Sequence, residues 1–292
     1  MKQLFESTLV TSKWLCNVMK LNMSNRRILD ASWHLPNAGR DALLEYKRCH
    51  IPGAVFFDIE ECADKSSGLP HTIPPVQVFE AYVGALGISN DTHIIVYDNH
   101  PQFPVFSAQR VWWTFRLFGH SNISILNGGL TKWISEGGEI TNKPSSYSQK
   151  AYIAKFNSKL IKHFKDIEAN ISNQEFLLVD VRPEDRFQGI SREPRADIKP
   201  GCIPYSVNVP FTKFMDLDKR TMKSTEQIQQ IFQASGIDLN KQIVASCGSG
   251  ISACVLALAG HMCNKDDIAV YDGSWTEWFA RSPDHLKWNI PA

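Results

Sequence analysis

The sequence predicts an α/β protein of two tandem domains, each with a mainly parallel β-sheet flanked by helices. Short apolar runs rich in β-branched residues alternate with segments of helical periodicity, as in βα units around a parallel sheet. The clearest apolar runs are 94–97, 176–181 and 243–245, and the clearest amphipathic segments are 78–86 and 225–234. The chain has 292 residues, 43% of them hydrophobic, and is therefore long enough for two cores.

An internal repeat supports the division into two domains. "LNGGLTKWISEGG" (126–138) aligns with "YDGSWTEWFARSP" (271–283) at an offset of 145 residues. Three further pairs follow in the same order: "RILDAS" (27–32) with "LLVDVR" (177–182), "HIPGAVFFDI" (50–59) with "CIPYSVNVPF" (202–211), and "THIIVYD" (92–98) with "KQIVASC" (241–247). Ordered matches at a nearly constant offset indicate duplication.

The duplication predicts an N-terminal domain at 1–140, a linker at 141–158 and a C-terminal domain at 159–292. The linker assignment depends on "TNKPSSYSQK" (141–150), which is polar, contains Pro144 and shows no periodicity.

The N-terminus has two interpretations. Residues 1–29 carry five Lys or Arg and only one acidic residue before Asp30, Glu6, which is a weak transit-peptide composition. The alternative is a short strand at Leu9 and Val10, an N-cap at Thr11 or Ser12, and a helix with an apolar face. We favour the second interpretation, since its apolar side chains resemble core positions.

Composition excludes several function classes. A net charge of +1 provides no global field for nucleic acid or an anionic membrane, and no apolar run approaches the roughly 18 residues of a membrane helix. Seven scattered cysteines, without a C-x-x-C pair, do not form a disulfide or zinc pattern and fit a reducing compartment. We therefore expect a cytoplasmic protein, with the mitochondrion as the alternative.

Cys247 lies where the apolar run 243–245 ends and the small residues 248–250 lead into a helical segment. Backbone N–H groups of such a loop, together with the positive end of the helix dipole, form a site for an anion. A thiolate is an anion and is the nucleophilic form of cysteine. The alternative is a buried apolar cysteine beside an ordinary turn, which is the interpretation we give to Cys254 and Cys263. For Cys247 the coincidence of strand end, glycines and helix start favours a nucleophile.

The corresponding N-terminal loop, "YDNHPQFPVFSAQR" (97–110), has Asp98 or Asn99 near the position of the thiol. It is about four residues longer and contains two prolines. The first domain is therefore expected to support the site without a nucleophile of its own. His100 could be catalytic, but a solvated loop histidine is the preferred interpretation.

The chain resembles two-domain sulfurtransferases of the rhodanese family over essentially its whole length. The motifs that carry the resemblance are "CGSGISA" (247–253), "DGSWTEW" (272–278), "HIPGA" (50–54), "RVWW" (110–113) and "DVRPEDRF" with "EPR" (180–187 and 193–195). The resemblance implies transfer of sulfur through a persulfide on Cys247. Family members that use thiosulfate usually carry basic residues directly after this cysteine. Gly248 and Ser249 are uncharged, which favours 3-mercaptopyruvate as the donor.

A donor with one carboxylate and one ketone requires a local cationic clamp, which arginine provides through its planar fork. The segment 182–195 offers Arg182, Arg186, Arg192 and Arg195, although arginines in a polar loop often serve only solubility. By resemblance, Arg186 and Arg195 bind the carboxylate and the carbonyl, and we assign Arg182 and Arg192 to structure. The remaining predicted substrate-binding residues belong to the loop after the cysteine: Gly248, Gly250, Ile251 and Ser252.

The resemblance also implies a catalytic relay of Glu60, His71 and Ser249. The family more commonly has Asp at the first position, so Glu60 changes the hydrogen-bond geometry, and His71 could instead be a loop histidine without a partner. In "GCIPYS" (201–206), Cys202 and Tyr205 replace the usual His and Gly, a departure that we expect to alter packing.

The expected partners are 3-mercaptopyruvate and a sulfur acceptor: by resemblance thioredoxin, a small thiol or cyanide. No metal or organic cofactor is expected to take part. A phosphatase with a C-x5-R loop is one rival, but the position that requires arginine is Ala253. A noncatalytic rhodanese-like binding module is the second rival, and retention of Cys247 argues against it. Thiosulfate as the donor is the third alternative.

Overall fold

The structure, a computed structural model, describes residues 7–21 and 25–290 and places them in two α/β domains. The strands are β1 Leu9–Val10, β2 Arg26–Asp30, β3 Ala54–Phe56, β4 His93–Tyr97, β5 Ile123–Leu126, β6 Ile161–Lys162, β7 Leu177–Asp180, β8 Val207–Asn208, β9 Met215–Asp216, β10 Thr221–Met222, β11 Ile243–Ser246 and β12 Ala269–Tyr271. The α-helices are α1 Ser12–Met19, α2 Ala42–Arg48, α3 Val76–Ala85, α4 Ala108–Leu117, α5 Gly129–Ser135, α6 Phe164–Asn173, α7 Glu184–Phe187, α8 Thr225–Ala234, α9 Ala253–Met262 and α10 Ser274–Arg281.

The two domains contain five-stranded sheets of the same topology. The strand order is β1-β5-β4-β2-β3 in the first sheet and β6-β12-β11-β7-β8 in the second, and every pairing within them is parallel. β9 and β10 form a separate antiparallel hairpin. The predicted fold class and duplication are confirmed, and the central strands β4 and β11 end at equivalent edges of their sheets.

The predicted N-terminal strand and helix are present. β1 pairs with β5, and the Thr11 hydroxyl accepts a hydrogen bond from the backbone N–H of Trp14, as expected of an N-cap. Leu15 and Val18 are buried in the first domain. Residues 1–6 and 22–24, which also belong to the segment of weak transit-peptide composition, lie outside the described residues.

A single apolar cluster joins the two domains. It includes Trp112 and Phe115 of α4 together with Val255 and Leu258 of α9. Residues 253–260 of α9 are almost all apolar, and all of them are buried. Burial of each large apolar side chain stabilises the folded protein by about 1.5–3 kcal/mol, so this interface holds the two domains together. Within the described ranges, no helix is long and apolar enough to cross a membrane.

The predicted linker lies against the first domain. Tyr147 donates its hydroxyl proton to the carbonyl of Gly53, and the N–H of Lys150 donates to the carbonyl of Gly84. Tyr152 is buried in the shared core. The segment between Thr141 and the second sheet is therefore fixed in place rather than a loose tether. The boundaries at 140 and 158 stay a prediction.

Candidate active site

Cys247 lies directly after β11, at the carboxyl end of the second sheet, where ligands bind in open α/β sheets. Its side chain is buried, and the N–H of Gly250 donates a hydrogen bond to Sγ at 3.2 Å. Gly250 has a φ of 84°, and a Cβ there would lie 2.7 Å from the carbonyl oxygen of Asp272. Glycine is therefore required at 250 for the loop to curl around the sulfur.

A cavity of about 170 Å³ opens onto the sulfur from the boundary between the domains. Its polar lining includes Arg182, Arg186, Arg195, Ser249 and Ser252, and its apolar lining includes Trp33, Leu35, Phe103, Phe106, Phe211 and Ile251. Gly248 also lines the cavity, whereas Gly250 lies behind it and contacts the sulfur. The cavity suits a small anionic ligand beside a largely apolar wall.

The two predicted clamp arginines both line this cavity. Arg186 forms an ion pair with Glu193, and its Nη2 lies 3.3 Å from where a side chain on Gly248 would begin. The Nη2 atom of Arg195 lies 3.2 Å from Nε2 of His71. Burial lowers the pKa of Arg195. Both arginines can therefore reach an anion that approaches the sulfur through the cavity.

Arg182 is neutralised by two carboxylates. Its Nη2 lies 2.6 Å from Asp180 and its Nη1 lies 2.7 Å from Glu193, and its guanidinium covers the Trp275 ring. Burial disfavours the charge, but the Asp180 and Glu193 carboxylates outweigh burial and raise the pKa of Arg182. These contacts fit the structural role predicted for Arg182. Arg192 is exposed.

Glu60 and His71 are in contact. Nδ1 of His71 lies 2.7 Å from Oε1 of Glu60, and Glu60 also accepts a hydrogen bond from the indole N–H of Trp33. Burial lowers the pKa of His71, although Glu60 raises it in part. The neutral imidazole is then assigned a proton on Nδ1, facing Glu60, and an acceptor Nε2 facing Arg195. The alternative interpretation, in which His71 is a loop histidine without a partner, is therefore wrong, because Glu60 is its partner.

The third member of the predicted relay is not joined to the other two. Ser249 is buried in the cavity lining, yet within residues 7–21 and 25–290 no hydrogen bond links it to His71. The structure therefore brings together Glu60, His71 and Arg195, and it places Ser249 separately beside the sulfur loop.

Sequence reasoning missed an ion pair that joins the domains behind the sulfur loop. Arg110 of α4 lies 2.6 Å from Asp272, and it also donates to the carbonyls of His71 at 2.6 Å and Gly250 at 3.3 Å. The other Asp272 oxygen accepts the N–H of Ile73 at 2.8 Å. Arg110 belongs to the motif "RVWW" and Asp272 to the motif "DGSWTEW". The available signal was a charged residue beside large apolar side chains, since a charge that is buried requires a partner of opposite charge.

The "DGSWTEW" motif supports the sulfur loop from behind. The N–H of Trp275 donates to the carbonyl of Cys247 at 3.0 Å. The N–H and the hydroxyl of Thr276 both donate to the carbonyl of Gly248, at 3.0 and 2.7 Å. The start of α10 therefore fixes the backbone on which the nucleophile sits.

The expectation of a solvated His100 is wrong. The ring is partly buried and stacks on Phe103, and its Nδ1 accepts the N–H groups of Gln102 and Phe103 at 3.2 and 3.1 Å. Burial lowers the pKa of His100 to about 4. The residue therefore shapes its own loop as a neutral acceptor.

The other cysteines considered differ from Cys247 in their surroundings. Cys254 is fully buried in α9, and burial raises the pKa of its thiol to about 12. Burial also raises the pKa of the partly exposed Cys263. Cys202 is buried and its backbone pairs with Trp288, against which the exposed Tyr205 packs edge-on. The departures at 202 and 205 thus act on packing near the C-terminus.

Comparison with known proteins gives consistent matches. The model of the rhodanese-like domain matches residues 20–136 and 163–281. A 3-mercaptopyruvate sulfurtransferase of Rattus norvegicus is 44% identical over 97% of this chain and 96% of its own length. A thiosulfate sulfurtransferase of Gallus gallus is 44% identical over 96% of each chain. Among solved structures, a sulfur transferase subunit of yeast mitochondrial complex I is similar with a TM-score of 0.87 and 33% identity, over 98% of this chain and 100% of that one.

Proposed function

The chain belongs to the rhodanese family and is a sulfurtransferase, and from this premise we propose that it transfers the sulfur of 3-mercaptopyruvate to an acceptor through a persulfide on Cys247. Overall identity does not select the donor, since relatives named for either donor reach 44%. The observation that carries the proposal is the uncharged loop directly after Cys247. Gly248 leaves little room for a cationic side chain, because a Cβ there would already border Arg186.

The charge of the cavity supports a donor with a single negative charge. Two carboxylates, Asp180 and Glu193, offset two of the three arginines that line it. Thiosulfate is a dianion and gains most from several cations around its surface. Mercaptopyruvate has one carboxylate and one ketone, for which Arg186 and Arg195 supply charge-assisted hydrogen bonds.

In the first half-reaction the Cys247 thiolate attacks the donor sulfur. A sulfur–sulfur bond forms, and the bond between that sulfur and C3 of the donor breaks. The electron pair passes into the enolate of pyruvate, which takes up one proton and leaves as pyruvate. The N–H of Gly250 and the other loop N–H groups from 248 to 252 stabilise the negative charge on sulfur.

In the second half-reaction an acceptor nucleophile attacks the outer sulfur. The sulfur–sulfur bond breaks, and Cys247 leaves as the thiolate, ready for another donor. A thiol acceptor carries the sulfur away as its own persulfide, which a second thiol reduces to hydrogen sulfide, and cyanide gives thiocyanate. Thioredoxin and small thiols are the proposed acceptors, on the basis of family resemblance.

We retain Ser249, His71 and Glu60 as proposed catalytic residues for protonation of the enolate. Glu60 orients His71, and Ser249 lines the same cavity as Cys247. Because Arg195 occupies the Nε2 side of His71, a proton path to Ser249 requires a bridging water or another Ser249 rotamer.

For the location we retain both expected compartments, the cytoplasm and the mitochondrion. The similarity to a subunit of yeast mitochondrial complex I supports the second.

Steady-state kinetics with both donors and one common acceptor test the donor. The wild type is expected to show a higher kcat/KM with mercaptopyruvate than with thiosulfate, and to release one pyruvate per sulfur transferred. Ser249→Lys adds a cation to the loop after Cys247 and should raise kcat/KM with thiosulfate itself, whereas Ser249→Ala, which adds no cation, should not raise it. A wild type that prefers thiosulfate would overturn the proposal.

A further inference from the structure

Ser274, the first residue of α10, has an unfavourable backbone conformation. Its φ is 50°, in the left-handed region that residues other than glycine rarely adopt. The residue is fully buried. Its hydroxyl accepts the backbone N–H of Cys247 at 3.1 Å and donates to the carbonyl of Tyr271 at 2.8 Å. The strain therefore coincides with a direct contact to the backbone of the nucleophile.

The first domain shows what the same position looks like without a nucleophile. Gly129 aligns with Ser274 in the internal repeat and has a φ of 58°. The next residue makes an equivalent contact in each copy: the N–H of Leu130 donates to the carbonyl of Asp98, as that of Trp275 does to Cys247. A Cβ at Gly129 would lie 2.3 Å from the Asp98 carbonyl oxygen, so a side chain has no room there.

The duplicated turn thus uses the unstrained residue, glycine, in the copy that has Asp98 in place of Cys247. In the copy that carries Cys247 it uses a strained serine. Local backbone strain that the fold retains often accompanies a functional requirement. Here the serine supplies what glycine cannot: a hydroxyl that accepts a hydrogen bond from the buried N–H of Cys247, which would otherwise be unsatisfied.

We infer that Ser274 is a positioning residue for Cys247, retained in a strained conformation because its hydroxyl fixes the peptide that aims Sγ at the loop N–H groups and the donor. The hydroxyl does not touch the donor and acts through the backbone of residue 247. This inference rests on the proposed role of Cys247 as the sulfur carrier. Loss of the hydroxyl misplaces the sulfur but leaves the donor-binding arginines intact, so it lowers kcat with little change in KM.

Two substitutions separate positioning from stability. Ser274→Gly removes both the hydroxyl and the strain, whereas Ser274→Ala removes the hydroxyl and keeps the strain. Ser124→Ala is the control, because Ser124 is buried and its hydroxyl donates to the carbonyl of Ser7 in the first domain, outside the cavity lining. The measurements are the melting temperature, the rate at which iodoacetamide alkylates Cys247 without donor, and kcat and KM with mercaptopyruvate.

Both Ser274 variants are expected to lose about tenfold to a hundredfold in alkylation rate and in kcat, as expected of a small displacement of a reacting atom. KM should stay within about twofold of the wild-type value. Ser274→Gly should melt above Ser274→Ala, and Ser124→Ala should melt below wild type with unchanged kcat.

An alkylation rate and a kcat equal to wild type in both variants would overturn the inference. Full activity in Ser274→Gly with loss only in Ser274→Ala would also overturn it, because the loss would then follow the backbone strain and not the missing hydroxyl. The alkylation measurement requires no donor. It therefore decides the inference even if the wild type makes no persulfide from mercaptopyruvate, a result that would refute the proposed donor separately.

Discussion

The loops that follow β4 and β11 occupy equivalent places in the two domains but surround different side chains. After β4, one carboxylate oxygen of the buried Asp98 accepts the N–H groups of Phe106, Ser107 and Ala108 at 2.7–2.9 Å. After β11, Sγ of Cys247 accepts the N–H of Gly250 at 3.2 Å and faces a cavity. Both loops lead into a helix, α4 in one domain and α9 in the other.

The comparison shows that the fold provides an anion site at this edge of each sheet, whatever the anion is. In the first domain a side chain of the chain itself fills the site permanently, and the site contributes to stability. In the second domain the same arrangement faces the cavity, where we propose that it stabilises a thiolate and the sulfur that the thiolate carries. Function therefore requires a reactive anion and an open cavity in addition to the N–H groups.

The largest expected effect is the loss of the reactive anion. Cys247→Ser should abolish persulfide formation without unfolding the protein, because a hydroxyl stays protonated at neutral pH while the change in size is small. Activity is measured as pyruvate released from mercaptopyruvate, and folding by the melting temperature. Cys254→Ser is the matched control and should retain turnover. Substantial turnover in Cys247→Ser, or labelling at Cys254 or Cys263, would contradict the assignment.

Removal of the permanent anion should act on stability instead. Asp98→Ala leaves three buried N–H groups without their carboxylate partner, which is expected to lower the free energy of unfolding by roughly 3 kcal/mol. Chemical denaturation measures this difference, with the exposed Asp218→Ala as the control. A variant as stable as wild type would show that the first loop does not need its anion.

Loss of one clamp arginine should give an intermediate effect in the catalytic domain. Arg186→Ala removes a charge-assisted contact of about 1.5–3 kcal/mol, and so about one to two powers of ten in kcat/KM for mercaptopyruvate. Arg192→Ala, in the same segment but exposed, should behave as wild type. Equal kinetics of the two variants would remove Arg186 from the proposed substrate site.

Mild acid should lower the stability gradually, through groups that lie mostly in the first domain. Burial lowers the pKa of five histidines there and of one in the second domain: His34, His71, His93, His100, His120 and His261. The unfolded chain binds these protons near its ordinary pKa of 6.5, whereas folded His93 binds its proton only at about 4. Histidine-linked stability is therefore complete above pH 6.5 and is lost progressively as the pH falls to about 4.

Denaturation curves across this pH range provide the measurement. His93→Gln should flatten the dependence, since the amide does not titrate. A free energy of unfolding that stays constant between neutral pH and about pH 5 would contradict the predicted titration.

The sequence predicted features that depend on local pattern. The repeat and the βα alternation indicated the fold class, and the position of Cys247 after an apolar run indicated the candidate nucleophile. Contacts between distant segments could not be predicted. The ion pair of Arg110 with Asp272 joins residues 162 positions apart, and nothing in either motif names its partner.

The surroundings of individual side chains could not be predicted from the sequence either. "YDNHPQFP" describes a polar loop, but its His100 is partly buried because Phe103 and Phe106 turn inward beside the cavity. The strain at Ser274 depends on how closely α10 approaches the sulfur loop, a distance that no local pattern encodes.

The proposed function requires that the site at the end of β11 carry sulfur on Cys247. The most direct test is mass spectrometry of the intact protein and of its peptides after treatment with mercaptopyruvate and removal of excess donor. We expect a gain of one sulfur atom on the peptide that contains Cys247, its loss on addition of a thiol acceptor, and no gain in Cys247→Ser. An unchanged mass, or a sulfur located on any other cysteine, would contradict it.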